Sequence, residues 1–164
     1  MYDMLFMQTL LFANDQVLLV TRKLQAPCWE SPQSIWHASD VSGLCTQALI
    51  LEHMFKALNN VSDLQPGEIA RCADHQRYDT AVNIVKENGS LIHGWSITIS
   101  CEIKPQFAGL RLRNFSQKLY AHFFNEKQVE SLRMDPVWKA KVLKIFEVRR
   151  KARHAKREDS LMNR

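Results

Sequence analysis

The chain has 164 residues, 46% of them apolar and 24% charged, which is globular usage with enough length for one well-buried core. No apolar run reaches the ~20 residues that a membrane-spanning helix needs, because Asn14, Asp15 and Gln16 interrupt the longest, so a soluble protein is expected. Residues 1–138 carry 12 Lys and Arg against 14 Asp and Glu, whereas residues 139–164 carry 10 against 3, so the basicity is confined to the C-terminal end.

Residues 4–12 and 16–22 are two apolar blocks joined by Ala13-Asn14-Asp15, whose Asn and Asp tolerate the backbone angles of a tight reversal, and a β-hairpin is predicted. Residues 23–40 contain Pro27 and Pro32 without a sustained period and are predicted to be an irregular loop carrying Trp29 and Trp36. From Ser42, a candidate N-cap, apolar residues recur at Leu44, Ala48, Leu51, Phe55 and Leu58, the spacing of one helix face, which Asn59 and Asn60 end. A turn at Gln65-Pro66-Gly67 precedes a strand over 68–73. Residues 80–86 and 90–104 flank Glu87-Asn88-Gly89 and form a second predicted hairpin, with a helix over 79–88 as the competing reading. After a loop over 105–114 comes a strand over 116–124. Asn125 with Gln128 then forms a capping-box signature that opens a short helix anchored by Val129 and Leu132. Asp135 caps a last helix with Pro136 at its first position and Trp138, Val142, Ile145 and Phe146 on its buried face; beyond Val148 that face disappears.

Residues 1–7 hold Asp3 and no Lys or Arg, unlike a secretory leader, and the expected location is cytoplasmic. The cysteines Cys28, Cys45, Cys72 and Cys101 form no CxxC pair and no Cys/His cluster at zinc spacing, so they are expected to be small buried hydrophobes kept reduced.

The order of elements fits several α/β folds, and a motif narrows the choice. Gln16-Val-Leu-Leu-Val-Thr-Arg22, then Trp29-Glu-Ser-Pro32, then the helix through Leu58, resembles the start of a Nudix domain. Leu119-Tyr-Ala-His-Phe-Phe-Asn125 and the short helix after it resemble the family's last strand and following helix. The resemblance implies an α/β (α+β) fold, a mixed β-sheet between helices, over residues 1–146, with 147–164 as a basic helical extension or tail. It also implies a box of the form G-x5-E-x7-R-E-U-x-E-E-x-G-U, whose register Pro32 sets. The first Gly falls on Ser34, the first Glu on Asp40, the Arg on Ala48, the next Glu on Leu49, the apolar U on Ile50, the paired glutamates on Glu52 and His53, and the last Gly on Phe55. Gln33 and Ser34 replace both glycines of the preceding loop. A slip of three residues would put Glu52 on the Glu after the Arg, but would leave Phe55 and Lys56 in place of the paired glutamates.

Nudix enzymes hydrolyse diphosphates linked to a nucleoside or similar group, using Mg²⁺ held by the helix glutamates. On a helix, positions 49, 52 and 53 share one flank, and here that flank offers Leu49, Glu52 and His53. Mg²⁺ takes hard oxygen ligands in a near-octahedral shell, and a His suits Zn²⁺ or Mn²⁺ better. The resemblance thus implies a catalytically depleted protein that binds a nucleotide, nucleic acid or protein partner and needs no cofactor. The expected cleft lies between the Trp29 loop and the Glu52 flank, with Trp29, Trp36, His53, Arg77 and Tyr78 as candidate ligand contacts. The opposing reading is a divergent hydrolase that recruits Asp40, Glu52 and either Glu102 or His53 to Mg²⁺ or Mn²⁺, with Glu52 its principal metal ligand. A third is a different α/β domain used for protein interaction. The nine residues from Arg149 to Arg157 hold six Lys or Arg plus His154. Arg149, Arg150, Lys151, Arg153, Lys156 and Arg157 are therefore candidates to meet phosphates of RNA or DNA, or an acidic protein surface, and without an apolar face the helix does not suit a membrane.

Overall fold

The computed structural model describes residues 4–37, 47–75, 77, 79–85, 88–107 and 119–163, with backbone only for 47–50. Among these residues, seven strands form one mixed sheet: β1 (Met4–Ala13), β2 (Gln16–Thr21), β3 (Gln33–His37), β4 (Ile69–Asp74), β5 (Thr80–Val85), β6 (Leu91–Ile103) and β7 (Tyr120–Asn125). Among the described residues, three α-helices accompany it, α1 (Gln47–Asn59), α2 (Glu126–Ser131) and α3 (Pro136–Met162). The main strand order is β4-β6-β1-β2-β7, with β3 also on β1 and β5 also on β6. The two long strands β1 and β6 lie parallel at the centre, and each carries two shorter antiparallel partners end to end. A parallel pair needs a crossover, and the chain between β1 and β6 that supplies it includes α1.

Alternation along the central strands builds two cores. Met7, Leu11, Leu18, Val20, Ile99, Cys101 and Ile103 face α1 and pack with its Met54 and Leu58. Leu10, Phe12, Val17 and Leu19 face the other way and pack with Val142, Ile145 and Phe146 of α3 and Val129 of α2. A strand buried on both faces reads as a continuous apolar run, which is what β1 and β2 show. Among the described residues, no helix is long and apolar enough to cross a membrane.

Local signals act as the sequence predicts. Asn14 and Asp15 both take positive φ, 48° and 62°, the pair a two-residue hairpin turn requires. Gly89 does the same at 79° in the second hairpin, which is β5 and β6 and not the competing helix. The Asn125 side chain accepts from the Gln128 N–H while the Gln128 side chain accepts from the Asn125 N–H. Asp135 accepts from the N–H groups of Val137 and Trp138 with Pro136 beside it.

Two expectations are corrected. The loop over 23–40 contains β3, whose residues 33–37 pair antiparallel with residues 4–8 of β1. The basic residues from 149 onward extend the last helix, since α3 runs without a break from Pro136 to Met162. Cys28 and Cys72 are exposed, and only Cys101 of the described cysteines is a buried hydrophobe. Ser42, Leu44 and Cys45 lie outside the described residues.

Candidate functional site

The flank of α1 is ordered by β3. Leu5 pairs with Trp36 and Met7 with Ser34 in the β1–β3 register, so Ser34 and Trp36 share the face that meets α1. His53 of α1 lies against both. Its Nδ1 and the Ser34 Oγ are hydrogen-bonded at 3.1 Å, and its ring stacks on the Trp36 indole at 4.0 Å and 7°. Trp36 is 4% exposed, so the indole is part of the core that seats α1, and its Nε1 has no hydrogen-bond partner among the described residues. Glu52, one residue earlier, is exposed. Asp40 and Tyr78 lie outside the described residues, as does the Leu49 side chain.

This donor set does not fit an octahedral Mg²⁺ shell. Glu52 supplies one carboxylate, while His53 is held by a hydroxyl and an aromatic face. Among the described residues, no three His, Cys, Asp or Glu side chains gather as metal ligands. Glu102, which the hydrolase reading recruits, faces the opposite side of the sheet. Neighbouring strand residues point to opposite faces, so Cys101 turns towards α1 and Glu102 towards α3. There Glu102 accepts from Arg149 at 3.2 Å and from Arg71 at 3.1 Å. Its burial favours the protonated form, but the two guanidiniums outweigh that and hold the carboxyl below its ordinary range.

Trp29 is likewise not on the α1 flank. Its ring meets Phe124 at 4.7 Å in the core beneath α3, and its N–H donates to the Arg133 carbonyl. Among the described residues Trp29 and Glu52 therefore line no common cleft, since Trp29 packs against the core beneath α3 while Glu52 is exposed on α1, across the sheet. Arg77 is exposed, and its neighbour His75 is buried with Nε2 2.7 Å from Ser100 Oγ.

A different cleft, about 460 Å³, opens between β1, β3 and β5 and the first turn of α3. Gln8 and Gln33 lie opposite each other in the β1–β3 register and face into it. The Ser31 hydroxyl donates to Gln8 Oε1, and Gln8 Nε2 donates to Gln33 Oε1 at 3.3 Å, so a chain of polar groups running from buried Ser31 and Gln8 to exposed Gln33 fixes both amides. Phe6 is a further wall. It lies over Gly94 of β6, where any Cβ would run into the Phe6 ring. Asn83 and Thr80 close the β5 side, and Asp135, Val137 and Trp138 the helix side.

Next to this cleft the Lys141 Nζ sits 4.5 Å over the Trp138 ring and 3.3 Å from Thr80 Oγ1. Burial lowers the Lys141 ammonium from its ordinary value, and Asp79 partly offsets that. Burial in turn raises the Asp79 carboxyl, although Asp79 accepts the Thr98 N–H at 3.0 Å. Amides, an aromatic ring and an apolar floor are the groups that recognise a planar heterocycle with donors and acceptors on its edge.

Sequence reasoning missed this cleft, although one signal for it was present. Gln8 is a lone amide within an apolar strand and is 5% exposed, so it needs a buried partner. Trp138 was assigned to the buried face of its helix, and it is in fact only half-buried at the cleft wall.

The basic stretch of α3 is largely engaged with the domain. Arg149 pairs with Glu102, Arg150 with Glu126, Lys151 with Glu147, and Arg153 with Asp15. Lys156 and Arg157 are exposed.

No protein-family profile matches the sequence, and no curated protein matches it. Solved structures do match the fold. The Nudix hydrolase RenU from M. smegmatis is 14% identical with a TM-score of 0.50, over 92% of this chain and 86% of that one. The NUDIX domain of Shewanella oneidensis NrtR, crystallised with ADP ribose, is 12% identical with a TM-score of 0.58, over 88% of this chain and 86% of that one. At such identities the likeness is one of architecture, and the mixed seven-stranded sheet between α1 and α3 is the Nudix fold.

Proposed function

We propose that this protein binds a nucleotide or nucleoside diphosphate-linked ligand in the cleft of Gln8, Gln33 and Trp138 and does not hydrolyse it. The observation that carries the proposal is the use made of the two positions where the Nudix pattern has glycines. Gln33 turns to the cleft and bonds Gln8, while Ser34 turns to α1 and bonds His53. The first gives the cleft an amide edge. The second ties down the residue that stands for one of the paired glutamates, leaving Glu52 as the carboxylate of that pair. Without a cluster of carboxylates among the described residues, metal-assisted stabilisation of a transferring phosphoryl group loses its basis. ADP ribose is the ligand crystallised with the NrtR domain, which makes it the first compound to try here. A cytoplasmic location fits the free cysteines and the ligand class.

The test is calorimetric titration of the protein with ADP ribose, nucleoside monophosphates and nucleoside diphosphates. Phosphate and nucleoside monophosphate release is followed in parallel with Mg²⁺ and Mn²⁺, for the native protein and Glu52→Gln. Saturable binding without turnover supports the proposal. Metal-dependent turnover that disappears in Glu52→Gln overturns it in favour of a divergent pyrophosphohydrolase, and absence of binding across the panel overturns it in favour of a protein-interaction domain.

A further inference from the structure

Cys72 of β4 and Cys101 of β6 stand directly opposite in the antiparallel register, and their sulfurs are 3.4 Å apart. Opposite residues of antiparallel strands have Cβ atoms ~4.5–5.5 Å apart, and a disulfide needs ~3.5–4.5 Å, so a small shift separates the pair from a bond. The two thiols differ in access. Cys72 is exposed on β4, at one end of the main strand order, whereas Cys101 is 1% exposed, with its sulfur against the thioether of Met54 on α1. A reagent in solution meets Cys72 first, and Cys101 is the sulfur waiting behind it.

The electrostatics agree with that order. The hydrogen-bonded contact between the two sulfurs favours the Cys72 thiolate against the effect of burial and brings that thiol to about 7. The same contact, together with burial, pushes Cys101 up. The thiolate is the nucleophile in thiol chemistry, so one member of the pair is reactive and the other protonated near neutral pH.

We propose that Cys72 is a peroxide-reactive site and that Cys101 resolves its oxidised form into a disulfide between β4 and β6. The Cys72 thiolate attacks one oxygen of hydrogen peroxide, the O–O bond breaks, and hydroxide leaves to be protonated as water. Cys72 is then a sulfenic acid. The Cys101 sulfur attacks the Cys72 sulfur, the S–O bond breaks, and the departing hydroxyl takes the Cys101 proton as a second water. Two thiols have been oxidised to one disulfide and one peroxide reduced to two waters. Closing the sulfurs to ~2.05 Å draws Cys101 off Met54, so oxidation is felt by α1, the helix that carries Glu52 and His53.

Reduced protein is treated with stoichiometric hydrogen peroxide, blocked with iodoacetamide, digested and analysed by mass spectrometry. The expected result is a linked pair of peptides carrying Cys72 and Cys101, separated again by dithiothreitol. The rate of linkage should rise about tenfold per pH unit below pH 7 and level off above it. Cys101→Ala should leave Cys72 as a sulfenic acid trapped by dimedone. Cys72→Ser, at an exposed position, should leave Cys101 alkylatable after denaturation. Recovery of both cysteines as alkylated monomers from the peroxide-treated native protein would overturn the proposal, as would dimedone-labelled Cys72 without the linked peptides.

Discussion

Ser34 of β3 and His53 of α1 are hydrogen-bonded at 3.1 Å, and the His53 ring stacks on Trp36. Together the bond and the stack tie α1 to β3. Changing either partner should therefore affect stability and seating of α1. His53→Ala is expected to cost about 1–2 kcal/mol, the sum of a hydrogen bond and an aromatic contact. A Ser34→Ala/His53→Ala cycle by urea denaturation should return a coupling of about 0.5–1 kcal/mol, and additivity would show that the bond does not hold the helix.

Glu102 joins β4, β6 and α3 through Arg71 and Arg149, and this sets a pH dependence. Its carboxyl titrates below its ordinary value of 4.5 in the folded protein, because the two guanidiniums outweigh burial. A group depressed on folding contributes stability that is present above its unfolded pKa and is lost as pH falls through the folded one. Glu102→Gln should be less stable than the native protein at pH 7 by roughly 1 kcal/mol, given the exposure of Arg71. The difference should shrink as pH falls below 4.5. Thermal melts from pH 2.5 to 7 test this, and a difference constant across that range would mean that Glu102 acts through packing alone.

What the sequence discloses about this fold is what is decided locally. Two residues fix the turn at Asn14 and Asp15, and the caps at Asn125 and Asp135 need only the next three positions, so these features were legible. The strand at 33–37 was not. Gln33, Ile35 and His37 are exposed, Pro27 and Pro32 signal irregular chain, and the strand exists because residues 4–8 lie beside it. The site divides in the same way. Family spacing picked out Glu52 and His53, but it could not show that Trp29 and Glu102 point away from them, since that depends on the parity of β6 for Glu102 and on the bridge to Met134 for Trp29. The polar chain of Ser31, Gln8 and Gln33, and the Cys72–Cys101 pair, arise from register between segments more than 20 residues apart.

The basic residues of α3 look like a polyanion site when read in sequence, but four of them are ion-paired within the protein. If duplex DNA or RNA binds this helix, Lys156 and Arg157 remain to release counterions. The logarithm of affinity should then fall against the logarithm of salt with a slope of about −2, each phosphate contact adding about −0.9. Fluorescence anisotropy across a salt series measures it. A slope near −5 would mean that the pairs with Glu102, Glu126 and Asp15 open on binding.

The cleft offers the most direct test of ligand recognition, because its walls can be altered without touching α1. Trp138 is half-buried at the cleft wall, with Lys141 over its ring. If a planar base lies against it, Trp138→Ala should weaken ADP ribose and nucleotide binding about tenfold or more, since stacking of a base on an aromatic is worth ~1–3 kcal/mol. Gln33→Leu should weaken binding and alter the preference between bases, because it removes a hydrogen-bonding edge that Gln8 orients. Gly94→Ala reaches the same cleft from behind, since its new Cβ must push Phe6 aside into the space a ligand would fill. Its expected signature is lost affinity with the sheet intact by circular dichroism. Unchanged affinity in Trp138→Ala and Gln33→Leu, with binding retained in the native protein, would move the ligand elsewhere on the fold.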